Sequence, residues 1–252
     1  MFQGHSNFGF MRQQCGRKLQ LSRFGEAVLE VIFPEDTRIR SRKVVTRSRA
    51  RSTGKYPSWK MGRMVQWESE NELNAYRCLD MAPEVKAFHE QPLLLKYVLN
   101  GEEHYHYPDV LVDYGDSREL WEIKPKAQAL KQEYVDRTLF LEAMLPKLGF
   151  TYRMVLAEEL AAQPRLDTVL ALLKHGRNPV TASARESVRQ VLLGAPVVTW
   201  GQASNGYLGI NGRSILARLV LEGVLSCDIG QRLTPATQFS MSFEKSSMGV
   251  TP

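Results

Sequence analysis

The chain has 252 residues, of which 43% are hydrophobic, and it carries a formal net charge of +6. This length allows one large core or two smaller ones, and we expect more than one domain. The three cysteines are far apart in the sequence, which argues against a disulfide framework and a zinc knuckle. Neither an apolar signal-peptide core nor a run of about 18 apolar residues occurs, so we expect a cytoplasmic protein.

Positive charge is concentrated between positions 37 and 67, which contain ten basic residues and no acidic one. Such a local charge is typical of a segment that binds a polyanion, although charged runs are often only solvated surface. Tyr56, Trp59 and Trp67 could stack there on exposed bases. We therefore expect an extended DNA-contacting arm within an N-terminal segment, 1–67. The candidate DNA contacts, including one residue beyond this segment, are Arg47, Arg49, Arg51, Lys55, Lys60, Arg63 and Lys126.

Two runs of alternating apolar and polar residues flank Gly115-Asp116 and predict a β-hairpin between positions 107 and 124. If Gly115 and Asp116 form the turn, Asp109 lies opposite Glu122 and on the same side as Lys124. Two neighbouring carboxylates with room for water suit Mg²⁺ or Mn²⁺, which can polarise a phosphodiester and lower the pKa of a bound water. Lys124 can then orient that water or offset charge on the phosphate. The pattern predicts a metal-dependent phosphodiesterase, with a solvated hairpin carrying an ordinary ion pair as the alternative.

A helix is predicted to begin at Ser69 and to end before Pro83. Ser69 and Glu72 have the spacing of a capping box, in which the glutamate side chain bonds back to the start of the helix. Glu72 is therefore either a helix cap or a third metal ligand beside the hairpin. The helix signals by themselves favour the cap.

The remaining pattern up to position 160 alternates strands and helices. A strand at 93–99, an Asn100-Gly101 turn and a strand at 104–114 precede the second hairpin strand, and a helix at 127–148 and a strand at 152–157 follow it. This order predicts an α/β domain over 68–160, with a mixed sheet flanked by helices. An apolar run at 24–33 predicts a short strand or helix.

His104 and His106 form an H-x-H pattern of the kind that can bind metal. Both occupy even positions, so in a continuous strand they face away from Asp109 unless Pro108 sits at a bulge. We expect them to be surface residues of the strand.

The last third of the chain has a different pattern of shorter helices. Helices are predicted at 166–174, 184–193 and 214–223, and a hairpin around Gly230-Gln231 is predicted from strands at 226–229 and 233–239. Helices closed by a hairpin indicate a winged-helix-like domain over 161–252, which would bind DNA or a protein partner.

Four sequence blocks, in order, resemble one known family. The chain is similar to TnsA, the endonuclease subunit of heteromeric cut-and-paste transposases, from about position 62 to position 157. The blocks that carry the resemblance are Ser69-x-x-Glu72-Leu73, Glu90-Gln91-Pro92, the run from Pro108 to Asp113, and the run from Glu122 to Lys126.

The resemblance implies a restriction-endonuclease-like fold and a role for each residue that matches the motif. It implies Glu72, Asp109 and Glu122 as ligands of two Mg²⁺ or Mn²⁺ ions, with the Ile123 carbonyl adding an oxygen, and Lys124 as the catalytic lysine. The implied reaction is hydrolysis of phosphodiester bonds at the 5′ ends of a mobile element. The implied partners are double-stranded DNA at the transposon ends, a DDE transposase subunit like TnsB and an AAA+ ATPase regulator like TnsC.

Two other functions fit the same residues. One is a stand-alone restriction or repair nuclease that reads its own DNA sequence. The other is a non-catalytic DNA-binding adaptor whose nuclease core is vestigial. Cleavage by the purified chain without partners would favour the first, and a lack of Mg²⁺ or Mn²⁺ binding would favour the second.

Overall fold

The computed structural model describes residues 25–34 and 52–242, which form two compact units. The first unit contains residues 25–34, 52–76 and 85–160, and the second contains 77–84 and 161–242. Along the chain, the main change from the first unit to the second falls after residue 160. The described residues before position 68 cluster with the segment predicted as the endonuclease domain. Within the described ranges, no helix has both the length and the apolarity needed to cross a membrane.

The chain up to residue 160 alternates strands and helices, which confirms the α/β class. Its strands are β1 (Ala27–Ile32), β2 (Gly54–Ser58), β3 (Arg63–Trp67), β4 (Ala87–Glu90), β5 (Leu94–Leu99), β6 (Glu102–His106), β7 (Val110–Asp113), β8 (Arg118–Lys124) and β9 (Thr151–Leu156). Its helices are α1 (Glu70–Met81), α2 (Lys126–Ala129), α3 (Gln132–Met144) and α4 (Ala157–Leu160), with a 3-10 turn at Leu145–Leu148.

A mixed four-stranded sheet forms the centre of the first unit, in the order β4-β7-β8-β9. Strands β8 and β9 are parallel and the other neighbours are antiparallel. A second, antiparallel sheet has the order β1-β5-β6, and β2 pairs with β3 in a separate hairpin. This arrangement of sheets and helices is compatible with a restriction-endonuclease-like fold.

The predicted hairpin around Gly115-Asp116 is confirmed. Val110 pairs with Trp121 and Asp113 pairs with Arg118, which leaves Gly115 and Asp116 as the turn residues. Gly115 has φ +101, a conformation that suits glycine because it has no Cβ. Continuing this register by one position aligns Asp109, the residue before β7, with Glu122, as the sequence predicts.

Two predicted elements are wrong in their extent. The predicted strand at 104–114 is two strands in different sheets, because Pro108 lacks an amide hydrogen and the chain crosses between the sheets there. The predicted helix at 127–148 is divided into α2, α3 and the 3-10 turn. Lys131 is extended between α2 and α3, and Pro146 lies in the 3-10 turn.

Helix α3 covers the face of the central sheet that carries Leu120. Its residues Phe140 and Leu141 pack in one core cluster with Leu120 and with Tyr152 of β9. Strand β8 is buried on both faces, since all four residues from Leu120 to Ile123 are buried. Glu122 therefore lies inside the protein, where a carboxylate needs polar or cationic partners.

The predicted extended arm is wrong for residues 54–67, which form the regular β2–β3 hairpin. Tyr56 is only 7% exposed, so it packs in the core rather than presenting a ring to bases. A Cβ on Gly54 would lie 2.5 Å from the Trp67 ring, which shows how closely the indole covers the opposite strand. The basic residues from Arg38 to Arg51 lie outside the described residues.

The segment from residue 161 contains four helices and three short strands among the described residues. They are α5 (Arg165–His175), α6 (Ala182–Gly194), β10 (Val198–Thr199), α7 (Trp200–Ser204), α8 (Gly212–Leu221), β11 (Leu225–Ser226) and β12 (Gln238–Met241). The strands form one antiparallel sheet in the order β10-β12-β11. The three predicted helices are confirmed with small shifts of their ends.

The predicted hairpin around Gly230-Gln231 is wrong in its extent. Only Leu225–Ser226 and Gln238–Met241 are strands, so a long loop connects them. Within this loop the Asp228 side chain accepts a hydrogen bond from the Gly230 amide, and Thr237 Oγ1 accepts one from the Thr234 amide. Such local side-chain bonds compete with strand pairing for the backbone groups.

A buried ion pair fixes the β2–β3 hairpin to β4. The Arg63 guanidinium donates to both oxygens of Glu90, at 2.9 and 2.6 Å, and the Gln66 amide donates to Glu90 Oε1 at 3.4 Å. Glu90 is only 2% exposed, whereas the Arg63 side chain is 22% exposed. The bidentate geometry makes this pair strong and directional.

We expect Arg63→Met to lower the free energy of unfolding by about 2 kcal/mol or more, because it removes the cation from a buried carboxylate. Urea denaturation measures the change. Lys55→Ala is the matched control, since Lys55 is an exposed basic residue of the same hairpin. Equal stability of Arg63→Met and the wild type would show that the ion pair does not stabilise the hairpin.

Candidate active site

A cavity of about 670 Å³ lies where β7 begins and β8 ends, beside the start of α1. Its lining includes Glu72, Asp109, Glu122 and Lys124, together with the Ile123 backbone. The structure therefore brings to one cavity all four side chains predicted to carry the chemistry. They come from the β7–β8 hairpin and from α1, which lies more than 25 residues earlier in the sequence.

Glu122 is the most enclosed of these side chains, with 4% of its side chain exposed. Its Oε1 atom lies 2.8 Å from Lys124 Nζ and 2.8 Å from Arg137 Nη2. Its Oε2 atom is buried and accepts no hydrogen bond from any residue that the structure describes. One oxygen of this carboxylate is thus held by two cations, while the other is unsatisfied.

Asp109 lies directly before β7 and keeps 19% of its side chain exposed. Its Oδ2 atom accepts a hydrogen bond of 2.7 Å from the Ile123 amide, and Lys124 Nζ is 3.7 Å away. Burial, followed by the negative charge of Glu122, raises the pKa of Asp109 to about 8, and Glu72 contributes in the same direction. Without a further cation, this carboxyl group therefore retains a proton at neutral pH.

The Lys124 ammonium lies among three oxygen groups. Its Nζ atom is 2.8 Å from Glu122 Oε1, 3.3 Å from the Ile123 carbonyl and 3.7 Å from Asp109 Oδ2. Burial acts to lower the pKa of Lys124, but Asp109 and Glu122 outweigh it and the pKa is raised. The ammonium is therefore a positive charge surrounded by the oxygens that the sequence predicts to bind a metal.

Glu72 lines the same cavity but is held by the start of α1. Its Oε2 atom accepts a hydrogen bond from the Glu68 amide at 2.8 Å, and its Oε1 atom accepts one from Ser69 Oγ at 3.1 Å. The Glu72 amide in turn donates to Ser69 Oγ at 3.2 Å. Burial raises the pKa of Glu72. The carboxylate contacts the amide of Glu68 rather than that of Ser69, so the cap differs from a standard capping box by one residue.

The residues present fit a hard cation with oxygen ligands. Asp109, Glu122 and the Ile123 carbonyl already surround one positive charge, and Glu122 Oε2 has no hydrogen-bond donor among the described residues. Carboxylate and carbonyl oxygens are the ligands that Mg²⁺ and Mn²⁺ prefer. In the part of the chain that the structure describes, no three His, Cys, Asp or Glu side chains are arranged so that they could hold a metal ion. Two carboxylates and a carbonyl thus lie around the ammonium, and Glu72 lines the same cavity while its oxygens accept hydrogen bonds at the start of α1.

Comparison with known families identifies this part of the chain. Residues 82–155 match the family model described as TnsA-like endonuclease N terminal. This segment is similar to the N-terminal domain of TnsA-like endonucleases. The resemblance to TnsA expected from the sequence is thereby confirmed, and the match suggests a nuclease of the TnsA type. The chain matches no curated protein.

The match divides the predicted site residues into two groups. Asp109, Glu122, Ile123 and Lys124 lie within the TnsA-like domain, whereas Glu72 lies before its first matched residue. The β7–β8 hairpin by itself is enough to bring Asp109, Glu122, Ile123 and Lys124 close together. The position of Glu72 beside them depends on how α1 packs in the first unit.

His106 is not a surface residue as predicted, because only 6% of it is exposed. Its Nε2 atom lies 3.0 Å from the Tyr152 hydroxyl and 3.5 Å from Glu122 Oε2. The alternation of side chains applies only within one continuous strand. His106 is the last residue of β6, whereas Asp109 precedes β7 in another sheet, so counting positions between them does not predict which way each side chain points. Burial, and then Arg137 and Lys124, lower the pKa of His106 well below its usual value. The imidazole next to Glu122 is therefore neutral.

Arg137 contacts the site and was not among the predicted residues. It lies on α3, one turn before Phe140 and Leu141, so it shares the face of α3 that packs on the central sheet. The sequence does contain a signal for this contact. A basic residue three and four positions before two core residues lies on the buried face of the helix, where its charge needs an anionic partner. Its guanidinium carbon is 4.9 Å from the centroid of the Tyr134 ring.

The predicted DNA contacts have different surroundings in the structure. Arg63 is bound to Glu90, Lys55 is exposed, and Lys60 lies 5.9 Å from the Trp59 ring centroid. The amide of Lys126, at the start of α2, donates to both carboxylate oxygens of Glu158 at 3.1 and 3.0 Å. The other predicted contacts, Arg47, Arg49 and Arg51, lie outside the described residues.

The pKa of Asp109 gives a prediction for the metal-free protein. At pH 8 we expect Asp109→Asn to raise the free energy of unfolding by about 1 to 3 kcal/mol, because one pKa unit corresponds to about 1.4 kcal/mol and water screens part of the effect. Folded Asp109 keeps its proton up to about pH 8, whereas an aspartate in the unfolded chain loses it near about pH 4. The wild type therefore loses stability as the pH rises through this range, and the variant lacks this loss.

Urea denaturation in EDTA at pH 5, 6.5 and 8 measures the difference. It should be smallest at pH 5 and should increase towards pH 8. Asp116→Asn, in the exposed turn of the same hairpin, is the control and should follow the wild type. A constant difference across the three pH values would show that the carboxyl group of Asp109 is not the cause.

Proposed function

We propose that the chain is a metal-dependent DNA endonuclease that hydrolyses phosphodiester bonds at the 5′ ends of a mobile element. The observation that carries the proposal is the position of the Lys124 ammonium among Glu122, Asp109 and the Ile123 carbonyl. Three oxygen groups of a TnsA-like domain already hold one positive charge at the place where a divalent cation would bind.

Asp109, Glu122 and the Ile123 carbonyl are the groups that would hold Mg²⁺ or Mn²⁺. When bound, such a cation polarises the phosphodiester and lowers the pKa of a bound water. Lys124 would then no longer be needed between the carboxylates, and its ammonium could offset the negative charge that develops on the phosphate. The second ion expected from the resemblance would draw on Glu72, whose two oxygens each accept one hydrogen bond at the start of α1 and keep a further lone pair for a cation.

The charge of the cavity supports a cation-dependent mechanism. Five carboxyl groups line it, those of Glu68, Glu70, Glu72, Asp109 and Glu122, against a single ammonium group, that of Lys124. Even with Asp109 protonated, the remaining carboxyl groups outnumber the ammonium group, so the cavity repels a DNA phosphate unless additional positive charge is present. The same charge attracts divalent cations.

The second unit supports a role in binding DNA or a partner subunit. Its elements α6, β10, α7, α8, β11 and β12 follow one another as helix, strand, helix, helix, strand and strand, and the sheet order is β10-β12-β11. We propose that this is a winged-helix-like domain, in which a pair of helices is followed by a β-hairpin. Asn211 and Arg213, at the start of α8, are exposed and available for such a contact.

The proposed partners are transposon-end DNA, a DDE transposase that cuts the other strand and an AAA+ ATPase that regulates the complex. They follow from the TnsA-like domain, because a TnsA-type nuclease acts as one subunit of a larger assembly. The basic residues between positions 37 and 67 would add affinity for the DNA backbone.

We expect Asp109→Ala and Lys124→Ala each to reduce nicking of transposon-end DNA in the assembled complex by on the order of 10²-fold or more. Retention of DNA binding, measured by gel shift, separates loss of chemistry from loss of the complex. Lys147→Ala is the control, because Lys147 is an exposed lysine of the 3-10 turn. Nicking and binding should both remain unchanged in this variant.

Undiminished nicking by Asp109→Ala or Lys124→Ala would overturn the assigned mechanism. Cleavage by the chain without any partner would identify a stand-alone nuclease instead. Absence of Mn²⁺ binding together with intact DNA binding would identify an adaptor.

A further inference from the structure

Glu122 has more cationic partners than a single ion pair needs. Both Lys124 Nζ and Arg137 Nη2 lie 2.8 Å from the same oxygen, Oε1, and only 4% of the glutamate side chain is exposed. The other oxygen, Oε2, is buried without a hydrogen bond from the described residues, and His106 Nε2 is 3.5 Å from it. The two oxygens therefore have different environments, because Oε1 contacts both Lys124 and Arg137 and Oε2 accepts a hydrogen bond from neither.

The two cations are not equivalent in what else they contact. Lys124 is also close to Asp109 and to the Ile123 carbonyl, so it interacts with every oxygen group of the proposed metal site. Arg137 contacts only Glu122 within that set. If Lys124 moves to a DNA phosphate, Arg137 still neutralises the buried carboxylate, and a buried carboxylate without any cation would be strongly destabilised.

Arg137 is itself held in place by the surrounding structure. It lies one turn from Phe140 and Leu141, which anchor α3 in the core, and 18% of its side chain is exposed. Its guanidinium packs on the Tyr134 ring, with 4.9 Å between the guanidinium carbon and the ring centroid. A planar guanidinium fixed in this way can orient a carboxylate oxygen, because its donors have a fixed geometry.

We propose that Arg137 is a positioning residue for the metal site. It holds the Glu122 carboxylate through Oε1, so that Glu122 would keep its orientation and a cationic partner when a divalent cation takes the place of the Lys124 ammonium and Lys124 turns to the DNA phosphate. This inference rests on the proposed function, since it concerns the ligand geometry of the same cation. Outer groups that orient a metal ligand typically change metal affinity or activity by about 10 to 100-fold when they are removed.

The test measures Mn²⁺ binding to the full chain without DNA, by calorimetry and by the electron paramagnetic resonance spectrum of the bound ion. We expect Arg137→Met to weaken Mn²⁺ binding by about 10 to 100-fold and to alter the spectrum of the remaining bound ion. Arg137→Lys should recover part of the affinity, because it restores a cation without the planar geometry. Thermal unfolding in EDTA checks that each variant is folded.

Arg153→Met is the matched control. Arg153 Nη1 lies 3.8 Å from Glu119 Oε2, so this variant also removes an arginine paired with a glutamate of β8. Its side chain is 56% exposed and lies away from Glu122, and Mn²⁺ binding should therefore equal that of the wild type.

The outcomes separate the two proposals. Mn²⁺ binding to folded Arg137→Met with wild-type affinity and spectrum would overturn the role of Arg137 and leave the metal site intact. Failure of the wild type to bind Mn²⁺, or binding that Asp109→Asn does not affect, would overturn the proposed metal site and the role of Arg137 with it. If Arg137→Met does not fold, Arg137→Lys is compared with the wild type instead. Equal Mn²⁺ affinity and an equal spectrum of the bound ion would then overturn the role of Arg137.

Discussion

The first unit depends on how it accommodates one charged side chain inside a sheet. Strand β8 is covered on both faces, and Glu122 lies in it between Trp121 and Ile123. An isolated carboxylate in such a place is costly, so cations must accompany it. Lys124 provides one from the same strand, and Arg137 provides the other from α3. The hairpin and α3 are therefore joined by an electrostatic requirement as well as by apolar packing.

The central sheet and α3 bring the interacting groups together by simple geometry. Pairing of β7 with β8 aligns Asp109 with Glu122, while the turn of helix before Phe140 and Leu141 directs Arg137 to the same face. Apolar residues on that face exclude water, which strengthens each charge interaction at the site. The raised pKa of Asp109 is one result, because burial and the adjacent Glu122 both oppose its ionisation. The metal-free fold is thus more stable with Asp109 protonated, whereas the proposed chemistry needs its ionised carboxylate.

The sequence predicts those parts of the site that depend on local rules. Strand alternation and the Gly115-Asp116 turn are sufficient to align Asp109 with Glu122, because register follows once the turn is known. Arg137 and His106 depend on contacts between elements that are distant in sequence. The parity argument for His106 needed an unbroken strand, and Pro108 breaks it. Thr199 and Gln202 do form a capping box at α7, a local signal that would have located this short helix.

The peptide that follows β4 connects the N-terminal hairpin to the active site. Glu90 binds Arg63 of that hairpin, and the adjacent residue, Gln91, donates its amide to the Asp109 carbonyl at 2.9 Å. Gln91 adopts φ +43, and its side chain donates to Glu68 at 2.8 Å, beside the start of α1. Two consecutive residues, Glu90 and Gln91, therefore link the β2–β3 hairpin both to the backbone of Asp109 and to the start of α1.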